Sequence, residues 1–161
     1  SSFIILWDMK QEIKKRLGEL LLEDGILSLE SLEEALCHQK QSGGMIGQIL
    51  IQLGYLSEEE LISALGRQLF VPYVSLAQYA VNMETVGLMG DEFARKHMMA
   101  IFDCDDKNVY IATSDPLNTT PIEEIRQRLK LKPQVFISTP TEIHNLFDLA
   151  FSKEAHRLKA G

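Results

Sequence analysis

Two stretches decide the fold: RLGELLLEDGILSLESLEEALCHQ, Arg16 to Gln39, and MIGQILIQLGYLSEEELISALGRQ, Met45 to Gln68. They are one 24-residue pattern written twice, separated by KQSGG, with a period of 29. Ten of the 24 positions are identical, among them Gly18/Gly47, Leu21/Leu50, Gly25/Gly54, Ser28/Ser57, Leu32/Leu61, Leu36/Leu65 and Gln39/Gln68. Leu17/Ile46, Leu20/Ile49 and Leu22/Ile51 preserve shape and polarity. Identity in register over that length marks a duplicated structural unit.

Each copy reads as a helical hairpin. Leucines or isoleucines crowd a short first helix, and a glycine follows at the place where a left-handed residue ends helices cheaply. Ser28 and Ser57 then stand where a hydroxyl caps the free N–H groups of a second helix, and Ser57 with Glu60 forms a capping-box pair. Leu32, Ala35, Leu36 and Gln39 recur at i, i+3, i+4 and i+7, one face of that helix, as do Leu61, Ala64, Leu65 and Gln68. Gly18 and Gly47 depart from good helix-forming choice, since glycine costs up to ~1 kcal/mol against alanine. A tight helix–helix crossing explains them, and so does close approach of a ligand to the backbone. Gln39 and Gln68 extend the apolar stripe with an amide, either as satisfied polar residues or as ligand contacts.

These residues resemble the MshEN family, the N-terminal domain of type II secretion and type IV pilus ATPases. The family pattern RLGxxLxxxGxLxxxxLxxxLxxQ is met in the first copy at Arg16, Leu17, Gly18, Leu21, Gly25, Leu27, Leu32, Leu36 and Gln39. The second copy meets it at Gly47, Leu50, Gly54, Leu56, Leu61, Leu65 and Gln68, with Ile46 a conservative change and Met45 a departure where arginine is common. The resemblance implies a ligand, cyclic di-GMP, extended along both copies. It implies contacts from Arg16, Leu17, Gly18, Leu32, Leu36, Gln39, Ile46, Gly47, Leu61, Leu65 and Gln68. A ligand of two identical halves suits a repeated site; leucines can lie against guanine faces, and helix-start N–H groups favour phosphate. Arginine can stack on a base or grip a phosphate through its planar fork, so Met45 removes one cationic contact.

The chain of 161 residues fits one domain or two small subdomains, and 45% hydrophobic content supports a core. A net charge of −7 argues against long nucleic acid and anionic membrane as partners, though not against a dinucleotide. Cys37 and Cys104 form no C-x-x-C pair, consistent with a reducing compartment. Neighbouring Cys37 and His38 point different ways on a helix and are not read as a metal or catalytic pair. The apolar run at Phe3–Trp7 is too short for a bilayer, which takes ~20 residues, and lacks a signal peptide's basic start. Lys14 and Lys15 add positive potential near Arg16.

Beyond Gln68 the pattern changes. Residues 69–76 contain Pro72 and read as a turn and a short strand. Short helices are expected over 83–97, strands at 98–102 and 109–113 with DCDDKN as an acidic turn, a helix at 121–130, a strand at 134–138 and a helix at 141–151. DCDDKN lacks the glycine and later glutamate of a calcium loop. SDPL at 114–117 resembles the family's ADPLD turn. Asp115 could accept two hydrogen bonds from a guanine edge, or cap the helix that follows. The expected fold class is α+β: a helical subdomain over 1–72 with repeats at 16–39 and 45–68, a three-stranded α/β subdomain over 73–151, and a linker over 152–161. In the resembled family the ATPase modules follow at about that point.

No P-loop, no G-x-S-x-G, no H-E-x-x-H and no zinc-type spacing occurs. The expectation is a domain without catalytic residues, metal or cofactor: a cytoplasmic cyclic di-GMP sensor on a secretion or pilus ATPase. The alternative is a protein-docking domain that needs no nucleotide. In the type II secretion relatives this region contacts an inner-membrane platform protein, so any place at the membrane would come through that partner. A TPR-like solenoid is disfavoured, because two copies are too few and an α/β segment follows.

Overall fold

A computed structural model of the chain describes residues 17–44 and 46–152. It divides into two compact units, residues 1–70 and 71–161. Each has its own core, and the class is α+β.

In the first unit, helical residues 17–23 form α1, followed by α2 (Leu29–Ser42), α3 (Ile46–Gln52) and α4 (Glu58–Leu69). The same local devices end and restart the helices in both copies. After α1, Gly25 turns left-handed at φ +71°, its N–H donates to Leu22 O and the Ile26 N–H donates to Leu21 O. After α3, Gly54 at φ +81° donates in the same way to Ile51 O, and the Tyr55 N–H donates to Leu50 O. This double bond pattern satisfies carbonyls that a helix end leaves open. Ser28 then accepts from Ser31 N–H, and Ser57 exchanges bonds with Glu60 in a complete capping box. The first copy has serine where the second has Glu60, so it lacks the return bond.

Burial repeats with the sequence. Leu21 and Leu50 are buried at 0% and 1% exposure, Leu27 and Leu56 at 5% each, and Ala35 and Ala64 at 0%. Fully burying one such leucine is worth about 1.5–3 kcal/mol, so these matched pairs form the main adhesive of the unit. The spacer is mostly helix: α2 runs on through Ser42, and only Gly43 and Gly44, both at positive φ, break it.

The second unit is built on a three-stranded mixed sheet of β1 (Met99–Cys104), β2 (Asn108–Thr113) and β3 (Lys132–Ile137), in the order β1-β2-β3. β1 and β2 are antiparallel, and β2 and β3 are parallel with α7 (Thr119–Leu129) between them in sequence. Alternation along the strands sends Met99, Ile101, Val109 and Ile111 to one face, where Ile125 of α7 packs. It sends Ala100, Phe102 and Ala112 to the other, covered by Ile143, Leu146 and Phe147 of α8 (Pro140–Ala150). Two short helices, α5 (Met83–Val86) and α6 (Asp91–His97), pack against β1.

Two local readings need correction. The short strand expected after Pro72 is a single parallel bridge, Tyr73 to Ile137. Pro72 supplies only a carbonyl, and after Val74 the chain turns, with Tyr79 N–H donating to Ser75 O, so the ladder cannot continue. Asp115 does not cap the following helix: the N-cap position of α7 is Asn118, and the Asp115 carbonyl accepts from Asn118 N–H in the preceding turn.

Candidate functional site

The candidate site is the pair of hairpins in the first unit. Its organising contact is a glycine of one helix against a leucine of the next. A methyl group placed on Gly18 would stand 3.3 Å from Leu32 Cδ2. At Gly47 it would stand 2.8 Å from Leu61 Cδ2 and 3.0 Å from its Cδ1. On the side where a Cβ would project, both glycines therefore admit a leucine, and the helix–helix crossing accounts for both of them. The crossing is tighter in the second copy, where Leu61 is buried at 7% exposure, than in the first, where Leu32 is half-buried.

The other expected contact residues divide by burial. Leu17 and Ile46 belong to the core, as does Leu61. Leu32, Leu36 and Leu65 are half-buried, packed on that core while keeping part of their apolar surface open. Gln39 donates from Nε2 to Gly44 O at 2.9 Å, tying the end of the first stripe to the glycine break before α3. Gln68, half-buried on α4, lines a cavity of about 350 Å³ with Glu19, Leu20, Glu23, Arg67 and Phe70. Arg16 and Met45 lie outside the described residues. Asp115 lies in the second unit, half-buried, its N–H donating to Thr113 Oγ1 at 3.0 Å.

Among the described residues, side-chain bonds at the surface link the two copies. Arg67 of α4 pairs with Asp24 in the turn of the first copy at 2.6 Å, and Tyr55 of the second turn donates to the Glu34 carboxylate on α2. The bond to Glu34 holds the Tyr55 phenol protonated above its usual range. Sequence reading missed Arg67, Phe70 and Leu20 as cavity residues, because it is the packing of α1 against the end of α4, almost 50 residues away in sequence, that brings them together. The electrostatics of the unit are acidic. By sequence, residues 1–70 carry eleven carboxylates against six cations, of which Lys14, Lys15 and Arg16 lead into the first copy. A ligand carrying phosphates would therefore depend on a few local donors against an unfavourable field. Among the described residues no cluster of His, Cys, Asp and Glu is arranged to hold a metal, and no helix is long and apolar enough to cross a membrane.

Comparison with known proteins adds the following. The model of the MshEN domain family matches residues 69–157, adjoining the tandem copies rather than covering them. A solved structure of MshE with cdg, cyclic di-GMP, is 32% identical with a TM-score of 0.72, covering 83% of this chain and 97% of that one. The N-terminal domain of XpsE shares the fold at 24% identity and a TM-score of 0.68, over 84% of this chain and 94% of that one. The type IV pilus assembly ATPase PilB of Myxococcus xanthus is 24% identical over 144 residues, and that of Thermus thermophilus is 30% identical over 127. These matches cover 89% and 78% of this chain but 25% and 14% of the two ATPases.

Proposed function

The chain belongs to the MshEN domain family, N-terminal domains of type II secretion and type IV pilus ATPases, and from that premise we propose that it is a regulatory domain that binds cyclic di-GMP along its tandem hairpins. The observation that carries the reading is the duplicated hairpin with matched burial in both copies, on a fold similar to that of MshE with cyclic di-GMP. The half-buried Leu32, Leu36 and Leu65 offer apolar surface of the kind a guanine face can cover. In this reading Arg16 supplies a cation, Gln39 and Gln68 supply amides, and Leu17, Gly18, Ile46, Gly47 and Leu61 set the backbone against which the ligand lies. Asp115 serves only if the ligand reaches the second unit. Hydrolysis belongs to ATPase modules of a longer protein, whose action this domain would bias. That bias requires different ligand affinity in two states of the motor, because equal binding to both shifts nothing.

A second reading, a docking domain that binds a protein such as an inner-membrane platform without nucleotide, draws support from the acidic field of the first unit and from Met45. Titration calorimetry of the 161-residue chain with cyclic di-GMP, with linear pGpG as control, separates them. The sensor reading expects saturable heat, weaker binding of pGpG, and a loss of ~10–150-fold on Arg16→Ala, the value of one charge-assisted hydrogen bond. Met45→Arg should tighten binding. No heat and no thermal shift at millimolar cyclic di-GMP would leave docking as the function of the hairpins.

A further inference from the structure

The second unit holds a cavity that cyclic di-GMP binding to the hairpins does not use. Its volume is about 500 Å³, and it opens where β1 runs into the β1–β2 turn. Its walls are aromatic. Phe102 and Phe136 meet edge-to-face, with centroids 5.4 Å apart at 80°, and Tyr79 stands on Phe102 at 5.0 Å and 82°. Tyr110 lies 6.3 Å from Phe136. Tyr73 and Tyr79 are exposed, with their hydroxyls held by Glu142 and Asp103.

Two carboxylates stand in the lining. Asp103 accepts from the Tyr79 hydroxyl at 2.9 Å and Asp105 from the Tyr110 hydroxyl at 3.0 Å, so each is held beside an aromatic wall. These bonds raise both phenols above their usual range, keeping them donors. No Lys, Arg or His lines the cavity, and among the described residues neither carboxylate takes part in an ion pair. An ionised carboxylate offers about four acceptor sites: Asp103 uses two, for Tyr79 and its neighbour Cys104 N–H, whereas Asp105 is filled by Lys107 N–H, Asn108 N–H, the Asn108 amide and Tyr110.

We propose that this cavity docks an arginine side chain of a protein partner, its guanidinium against the aromatic walls and its N–H groups on Asp103, with Asp105 adding negative charge. Aromatic faces are negative and attract cations, and a planar, weakly hydrated guanidinium both stacks and forks onto carboxylate. An anion would meet two carboxylates, and a purely apolar group would strip them of water without replacing it. Every residue involved belongs to the second unit, so the site stands or falls independently of nucleotide binding to the first.

The test is a ¹H–¹⁵N NMR titration of the 161-residue chain with acetyl-Gly-Arg-Gly-amide, beside the lysine peptide and the neutral citrulline peptide. The arginine peptide should give saturable shifts confined to residues 73–79 and 102–110 and to the strand around Phe136. Lysine should bind more weakly and citrulline should not saturate. Asp103→Asn and Tyr79→Leu should each weaken binding about three- to tenfold while leaving the remaining spectrum in place, the scale of a solvent-screened ion pair or cation–π contact. Equal binding of citrulline, equal binding of lysine, shifts spread over every acidic surface without saturation, or unchanged affinity in both variants would each overturn the assignment.

Discussion

Replacing Gly47 with alanine should destabilise the chain, while the same replacement at Gly18 should be neutral or stabilising. The new methyl at position 47 falls 2.8 Å and 3.0 Å from the two Cδ atoms of Leu61, closer than carbon atoms approach. Leu61 is 7% exposed, so it has little room in which to turn away. Overpacking of this kind costs about 1–3 kcal/mol. Alanine returns up to about 1 kcal/mol of helix propensity, less in a first helical turn such as that of α3. The net expected loss is therefore about 0.5–2.5 kcal/mol, the first figure less part of the second. At position 18 the nearest atom is 3.3 Å away and Leu32 is half-buried, so a shift of a few tenths of an ångström toward solvent relieves the contact. Urea unfolding followed by circular dichroism at 222 nm measures both, with a constant m-value indicating a change in stability alone. The double variant Gly47→Ala/Leu61→Ala provides the cycle: truncating Leu61 makes room for the methyl, so the two losses should fall short of additive by about 0.5–3 kcal/mol. Equal stabilisation by both alanines, or strict additivity in the cycle, would refute helix–helix packing as the reason for these glycines.

Leu61→Ala should cost about 2–5 kcal/mol as a core truncation, and Leu36→Ala distinctly less because that side chain is half-buried; melting temperatures with and without cyclic di-GMP check the order and show whether Leu36 loses more affinity than stability. Ser57→Ala should cost about 0.5–2 kcal/mol, and more than Ser28→Ala, because it opens a reciprocal box where Ser28 makes a single cap to the backbone; thermal unfolding of the two variants checks this. The Asp105 carboxyl lies below its ordinary value of 3.8, first because it accepts from Lys107 and Asn108 N–H, then from the Tyr110 hydroxyl. A folded pKa below the unfolded one contributes stability that is present above pH 3.8 and is lost as pH falls through the folded value. Carboxyl-detected NMR should find Asp105 titrating below the ordinary value of 3.8, and Asp105→Asn should abolish that part of the acid sensitivity.

The devices that shape each hairpin act within a few residues of chain, and they are legible without coordinates. The left-handed Gly25 and Gly54, the serine caps and the 3.6-residue stripes are choices between adjacent backbone conformations, and the 29-residue repeat states them twice. The strands expected at 98–102 and 109–113 and the helix expected at 141–151 are legible for the same reason, as short apolar runs on either side of an acidic turn and as a 3.6-residue stripe. Tertiary structure decided what local preference leaves degenerate. A glycine tolerates close approach by anything, and only the packed helices show that Leu32 and Leu61 approach Gly18 and Gly47. One leucine pattern serves both copies, yet neighbouring elements bury Leu61 and leave Leu32 half open. Tyr73 pairs once and then turns away because the continuation of a ladder depends on a partner strand more than 60 residues distant in sequence. The aromatic cavity is the extreme case: Tyr73, Tyr79, Phe102, Tyr110 and Phe136 sit on four separate segments with no common period. Their assembly follows from the order and direction of the strands, which depend on the burial of both sheet faces together and on no single stretch of sequence.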